Sequence, residues 1–296
     1  MKFTGSASRL IATGAIPAAA YGANCGIDPT SLRRLRVLAA KAVVGTKAGV
    51  CLTTALALHG KPGADPGVRL RCESLLLWVR ILRKLPPAKM PLLQAVWDRT
   101  RASYRSLQGS SPWRLARGPL GATIAALMEM GWHPDTPTSW RDENGDSWDI
   151  SCPLVSLGEM KARLEEAALA SLWRGATTSR HGQDLAAGAD FMATRKLLRN
   201  LARAGQHSMH NMLITVLTGS SWTAPRMAKA GNLGPPVCYR CGRVDISDWH
   251  VYWDCPALAG SGNLELQASQ HLVPEAAAAM GCRQGCHLLA PGHHQA

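Results

Sequence analysis

Asp65-Pro66-Gly67-Val68-Arg69-Leu70-Arg71-Cys72-Glu73-Ser74-Leu75-Leu76-Leu77-Trp78-Val79-Arg80-Ile81-Leu82-Arg83-Lys84-Leu85-Pro86-Pro87 carries its own punctuation. Asp65 is a residue that caps helix N-termini, and Pro66 suits the first helical position because its missing N–H is an orphan there anyway. Leu70, Ser74, Leu77, Trp78 and Ile81 recur at helical spacing and predict a buried stripe, with Arg69, Arg71, Arg80, Arg83 and Lys84 making the other face basic. Pro86-Pro87 ends the helix.

The same signals repeat on both sides. Asp28-Pro29 opens a helix whose apolar positions are Leu32, Leu35, Leu38, Ala39 and Ala42 and whose basic positions are Arg33, Arg34, Arg36 and Lys41, stopping near Gly45. A third helix is expected over about 89–107 with Leu92, Leu93, Val96 and Trp97 inward, and an apolar fourth from Leu120 to Met130. Ser156-Leu157-Gly158-Glu159 is a capping box for a helix to about Arg174, with Met160, Leu164, Ala167, Ala168 and Leu172 inward. After a polar stretch from Gly175 to Gln183, helices are expected over about 186–204, with Arg195, Lys196, Arg199 and Arg203 exposed, and over about 208–218. One hairpin, 138–150, interrupts the helices: Asn144-Gly145 lies between arms bearing Trp140 and Trp148. Asp142, Asn144 and Asp146 imitate the start of a calcium loop, but Ser147 stands where that loop needs Gly and Pro153 where it needs Glu. The fold expected is mainly α: a helical bundle with one β-hairpin and a small C-terminal metal module. Its parts are a remnant at 1–27, a helical region at 28–174, helices plus the module at 183–258, and a loosely ordered tail at 259–296.

Lys and Arg outnumber Asp and Glu by 33 to 20, for a net charge of +13 and an isoelectric point near 9.7. That balance points to a polyanion, most simply RNA or DNA. Ten Trp against two Phe has no explanation in the sequence. Of nine Cys, four (Cys25, Cys51, Cys72, Cys152) are scattered, which does not resemble a secreted disulfide framework; an intracellular, reducing site is expected. Residues Leu10 to Ile27 are uncharged, but Gly14, Pro17, Gly22 and Asn24 break them as a leader, and no run reaches the length of a membrane span.

Chemistry concentrates near the C-terminus. Cys238-Tyr239-Arg240-Cys241, eight residues, His250, four residues and Cys255 give the spacing of a four-ligand CCHC site for one structural Zn²⁺. Three thiolates and an imidazole fill a tetrahedral shell and leave no open position for catalysis. Arg226, Lys229, Arg240 and Arg243, with Tyr239 and Trp249, surround these ligands. Arg for phosphate and aromatic rings for stacking suit single-stranded nucleic acid. Arg33, Arg34 and Arg36 form a second basic stripe. Cys282-x3-Cys286-His287, with His293 or His294, and the pair His207 and His210 are weaker metal candidates. There is no phosphate-binding P-loop, no nucleophile elbow, no zinc-protease helix and no Asp-Asp pair.

The stretch from Trp222 through Pro225, Arg226, Lys229 and Gly231, followed by Cys-x2-Cys-x8-His-x4-Cys-Pro ending at Pro256, resembles the zinc-binding C-terminal region of reverse transcriptases of non-LTR (LINE-like) retrotransposons. Ile16-Pro17 to Ala23 and Thr30 to Arg36 look like the passage from palm to thumb in such enzymes. Gly118 to Trp132 with the hairpin is similar to the stretch between, so the resemblance spans about residues 10–258. It implies a thumb-like or connector region plus zinc module of an RNA-directed DNA polymerase, nuclear, binding RNA template or DNA target. The family's aromatic-x-Asp-Asp centre, where paired carboxylates hold two metal ions, has no counterpart here. Too little sequence precedes Tyr21 for a palm, and the 41 residues after Cys255 are too few for an endonuclease. The expectation is a nucleic-acid-binding fragment without its own polymerase centre, partnered by an upstream polymerase portion. The alternatives are a zinc-containing helical protein-interaction module and, third, an enzyme built on the other His and Cys clusters.

Overall fold

A computed structural model describes residues 9–44, 50–58, 64–107, 111–178, 185–231, 234, 236–244, 246–247, 249–275 and 277–278. The chain divides into two compact units, Met1–Ser220 and Ser221–Ala296. The fold is mainly helical, with one two-stranded antiparallel hairpin and a Cys/His cluster in the second unit.

In the first unit, a π-helical turn, Ile11–Ala15, leads into a short helix α1 (Ile16–Ala20). Then follow α2 (Pro29–Val44), α3 (Leu52–Ala57), α4 (Pro66–Leu82), α5 (Met90–Tyr104), α6 (Gly118–Met130), the hairpin strands β1 (Ser139–Arg141) and β2 (Ser147–Asp149), α7 (Leu157–Ala176), α8 (Met192–Arg203) and α9 (His207–Leu217). The expected N-cap residues are in place, although among the described residues Glu159 does not close the capping box with Ser156. Asp28 accepts from the Thr30 and Ser31 N–H groups, Asp65 from Gly67 and Ser156 from Gly158.

Helix α4 lies at the centre, against α7, α6 and α2. It is buried on more sides than one stripe predicts: Val68, Leu70, Cys72, Leu75, Leu76, Trp78, Val79 and Leu82 are all in the core, whereas Ile81 is exposed. Helix α5 is rotated from expectation. Leu93, Trp97 and Tyr104 face the core, while Leu92 and Val96 face solvent. Trp97 decides the rotation, because an indole is the largest apolar side chain on the helix and is wholly buried here. On α2, Leu38 is exposed and Ala39 buried.

The tryptophans acquire a role. Trp78 and Trp97 donate their indole N–H groups to the carbonyls of Pro137 and Pro134, in the loop that enters the hairpin. Trp132 donates to Glu143 and Trp148 to Asp142, both in the hairpin turn. A Trp buries a large apolar face and keeps one donor, so each ties helix or hairpin to a loop that a Phe would leave unpaired. Trp140 pairs directly with Trp148 across the hairpin. The turn is a five-residue loop, 142–146, closed by Asp142, with Gly145 at φ +90° where a side chain would be strained.

Much of the positive charge is spent inside this unit. Arg36 pairs with Asp65, Arg71 with Glu129, and Arg163 with Asp142, Glu143 and Glu166. Arg83 donates to the carbonyls of Ile150, Cys152 and Val155. A second apolar cluster, Leu58, Trp173, Phe191, Leu198 and Ile214, packs α8 and α9 against α7 and the end of α3 within this unit. The helices expected to accompany the metal module therefore belong with the helices before them. Helix α8 begins at Met192, six residues later than expected, because residues 186–190 form a turn at Gly188. Arg195 on α8 turns inward to the Ala57 carbonyl, while Lys196, Arg199 and Arg203 stay exposed.

The second unit holds α10 (Ala224–Lys229), the metal-ligand turns, α11 (Pro256–Ala259) and α12 (Leu264–Ser269). The stretch 256–272 is thus partly helical rather than loose. Cys282, Cys286, His287, His293 and His294 lie outside the described residues, as do Gly45 and residues 179–184. Among the described residues, no helix is long and apolar enough to cross a membrane.

Candidate metal centre and nucleic-acid interface

Two local structures bring the four ligands together. Val237 and Val244 form an antiparallel bridge, and between them the chain turns back: Cys238 N–H donates to Arg243 and Gly242 N–H to Cys238. Gly242 sits at φ +74°, the left-handed conformation that lets the Cys-x2-Cys turn close. The other two ligands come from a π-helical turn, His250–Asp254, and the extended residue Cys255 that follows it. The Ser247 hydroxyl receives the His250 N–H at the start of that turn.

The ligand atoms of Cys238, Cys241, His250 and Cys255 all lie within 4.8 Å of one another. The sulfurs of Cys238 and Cys255 are 3.7 Å apart, and Cys241 Sγ is 3.3 Å from His250 Nε2. A tetrahedron with metal–sulfur bonds of about 2.3 Å and metal–nitrogen bonds of about 2.0–2.1 Å has edges of about 3.8 Å and 3.5 Å. The four groups therefore fit a single tetrahedral ion. Cys238, His250 and Cys255 are buried and Cys241 is exposed. With Nε2 on a metal the ring proton rests on Nδ1, which is buried and finds no acceptor among the described residues.

The thiols are disposed to share a cation. Burial opposes ionisation of Cys238, but the backbone N–H groups of Cys241 and Arg240, with the side chains of His250 and Cys241, outweigh it and bring the thiol down to about 6. Burial, together with the neighbouring Cys238 and Cys241, pushes Cys255 up. One thiolate forms readily and then resists a second beside it; a central cation removes that repulsion.

Tyr239 and Arg240 occupy the loop between the first two ligands. Tyr239 is 82 % exposed, and the Arg240 guanidinium lies 5.1 Å from its ring centroid. Arg240 also donates to Tyr239 Oη and, at 2.7 Å, to the Val251 carbonyl, which ties the loop to the His250 turn. That tie spans eleven positions and has no sequence signal. Trp249 is half-buried and stacks on Trp253 at 5.9 Å and 24°. Arg243 and Lys229 are exposed, Arg243 lying 3.9 Å from Asp254; Arg226 is half-buried and donates to the Ser221 carbonyl.

Arg33 and Arg34 are exposed on α2 of the first unit. Arg36 departs from the expected stripe. Its side chain is 13 % exposed and holds Asp65 and Thr53, so its first role is in the fold. His207 and His210 share one side of α9, but among the described residues they join no metal-competent cluster. Asp142, the first carboxylate of the calcium-like run, is consumed by donors from Asn144, Asp146, Trp148 and Arg163.

Comparison with protein-family models, with curated proteins and with solved structures finds no match to this chain.

Proposed function

We propose that Cys238, Cys241, His250 and Cys255 hold one structural Zn²⁺, and that the knuckle it fixes binds single-stranded RNA or DNA. The observation that carries this reading is the Tyr239–Arg240 pair on the ligand loop, a highly exposed ring with a guanidinium beside it. An exposed aromatic face stacks on a base of any identity, and Arg meets the adjacent phosphate. Charge supports it: residues 191–244 contain eight Lys and Arg and not one Asp or Glu. Zinc is the metal of choice because three thiolates and an imidazole in a closed tetrahedron suit a borderline-soft d¹⁰ ion. The ion shapes the module; it has no free position for substrate.

The resemblance to non-LTR reverse transcriptases sets the context. In this reading the chain is a thumb-like and zinc-binding part of an RNA-directed DNA polymerase, acting in the nucleus on RNA template or DNA target. The polymerase chemistry itself belongs to a palm whose Asp-Asp pair is not in this sequence.

Fluorescence anisotropy with labelled single-stranded RNA and DNA tests the reading. Affinity should fall steeply between about 50 and 200 mM salt, and Arg240→Ala should reduce the salt slope by about 1. Tyr239→Ala should weaken binding by about 1–3 kcal/mol with the slope retained. Absence of binding at about 50 mM salt, or binding indifferent to salt, contradicts it.

A further inference from the structure

We propose that the first unit carries a separate binding pocket for a phosphate monoester, formed by Arg33 and Arg36 of α2 and Arg71 of α4. A cavity of about 500 Å³ opens between α2, α3, α4, α6 and α7, and these three arginines line it together with Thr53, Glu129 and Ser171. That volume lies within the range of small-ligand sites and accommodates a mononucleotide.

The guanidinium groups are arranged for a ligand as well as for the fold. Arg36 gives its Nε and one Nη to Asp65 and Thr53. Arg71 gives its Nε to Glu129 and one Nη to the Gly67 carbonyl. Each keeps one further Nη that bonds no described residue. Arg33 stands exposed at the rim with no hydrogen-bond or ion-pair partner among the described residues. Glu129 is held in turn by Trp113, whose indole N–H shares the same carboxylate oxygen as Arg71. The two buried arginines are thus fixed before any ligand arrives.

Charge makes the pocket specific for an anion. Three guanidinium groups face two carboxylates, Asp65 and Glu129, leaving an excess of one positive charge. Arg71 is 4 % exposed and Arg36 nearly buried, so solvent screens this excess poorly. A phosphate monoester presents three acceptor oxygens, which match the spare donors of Arg36, Arg71 and Arg33. The other oxygen of Glu129 accepts from no described residue and is available to a hydroxyl on the rest of the ligand. Sulfate-like anions lack that hydroxyl.

The pocket lies wholly within the first unit and does not depend on the metal module. Equilibrium dialysis of the full chain with adenosine 5′-monophosphate, at about 0.15 M salt, tests it. The nucleotide should bind saturably and unphosphorylated adenosine should not. Arg33→Ala should weaken binding about tenfold, and Arg34→Ala, one residue along the same helix but outside the pocket, should leave it unchanged. Arg33→Lys, which keeps the charge, should recover part of the loss, and Arg33 is exposed enough that neither variant threatens folding. Oligonucleotides with and without a 5′-phosphate identify the source. Competition by the phosphorylated strand alone points to a nucleic-acid end, and competition by neither strand points to a free nucleotide. Equal binding of adenosine, equal losses for Arg33→Ala and Arg34→Ala, or equal competition by both strands overturns the proposal.

Discussion

Asp142→Ala tests how the hairpin is held. The residue is 2 % exposed. One carboxylate oxygen accepts the backbone N–H groups of Asn144 at 2.9 Å and Asp146 at 3.0 Å; the other accepts Trp148 Nε1 at 3.2 Å, Arg163 Nη2 at 3.1 Å and Arg163 Nε at 3.3 Å. Bonds to a charged acceptor contribute about 1.5–3 kcal/mol each, but not all five are lost outright. Asn144 and Asp146 are exposed and regain water, and Arg163 keeps Glu143 and Glu166, so no buried charge is orphaned. The expected cost is about 3–5 kcal/mol. Asp142→Asn keeps the shape and one acceptor oxygen for the two backbone groups, and should cost about half as much. Burial pushes the Asp142 carboxyl up, but its donors from Trp148, Arg163, Asn144 and Asp146 outweigh that and hold it below the usual carboxylate range. The contribution is therefore complete above about pH 4 and is lost as pH falls through the lowered folded value. Urea unfolding followed by tryptophan fluorescence measures all three quantities. A loss below about 1 kcal/mol for Asp142→Ala, or a larger loss for Asn than for Ala, refutes the reasoning.

Removing metal with a chelator should unfold the ligand turns of the second unit. Among the described residues, the apolar cluster around the site has Ile246 as its one buried member besides two ligands. One Ile supplies about 2–3 kcal/mol, against about 1–2 kcal/mol to order each residue of the turns. Near-ultraviolet circular dichroism of the Trp249–Trp253 pair should collapse, and an unchanged spectrum counts against the prediction. Arg36→Ala should destabilise the first unit by about 3–5 kcal/mol in thermal or urea unfolding, because it strands buried Asp65, whereas Arg34→Ala should cost almost nothing. Equal effects of the two would show that Arg36 is an ordinary surface cation.

Local signals carried the helices. Asp28, Asp65 and Ser156 are caps because a short side-chain acceptor reaches backbone N–H groups two or three residues on, and that geometry needs nothing distant. The Cys-x2-Cys and His-x4-Cys pairs were legible for the same reason: each forms on one turn. Long-range pairing was not. Leu92 and Leu93 are equally apolar, and which side of α5 faces inward follows Trp97, whose burial and Pro134 carbonyl partner are not local. Arg36, Arg71 and Arg83 read as surface charge, yet their partners lie 29, 58 and 67 positions away. The basic composition therefore overstated the surface field of the first unit. In the second unit Lys229, Arg240 and Arg243 remain exposed, while Arg226 is half-buried.

The metal content of the intact protein tests the central claim most directly. Native mass spectrometry with elemental analysis should find one zinc per chain in the wild type and none in Cys238→Ser or Cys255→Ser. A wild-type chain purified without metal that keeps the Cys238–Cys255 turns folded, or a Cys238→Ser chain that retains its zinc, would contradict it.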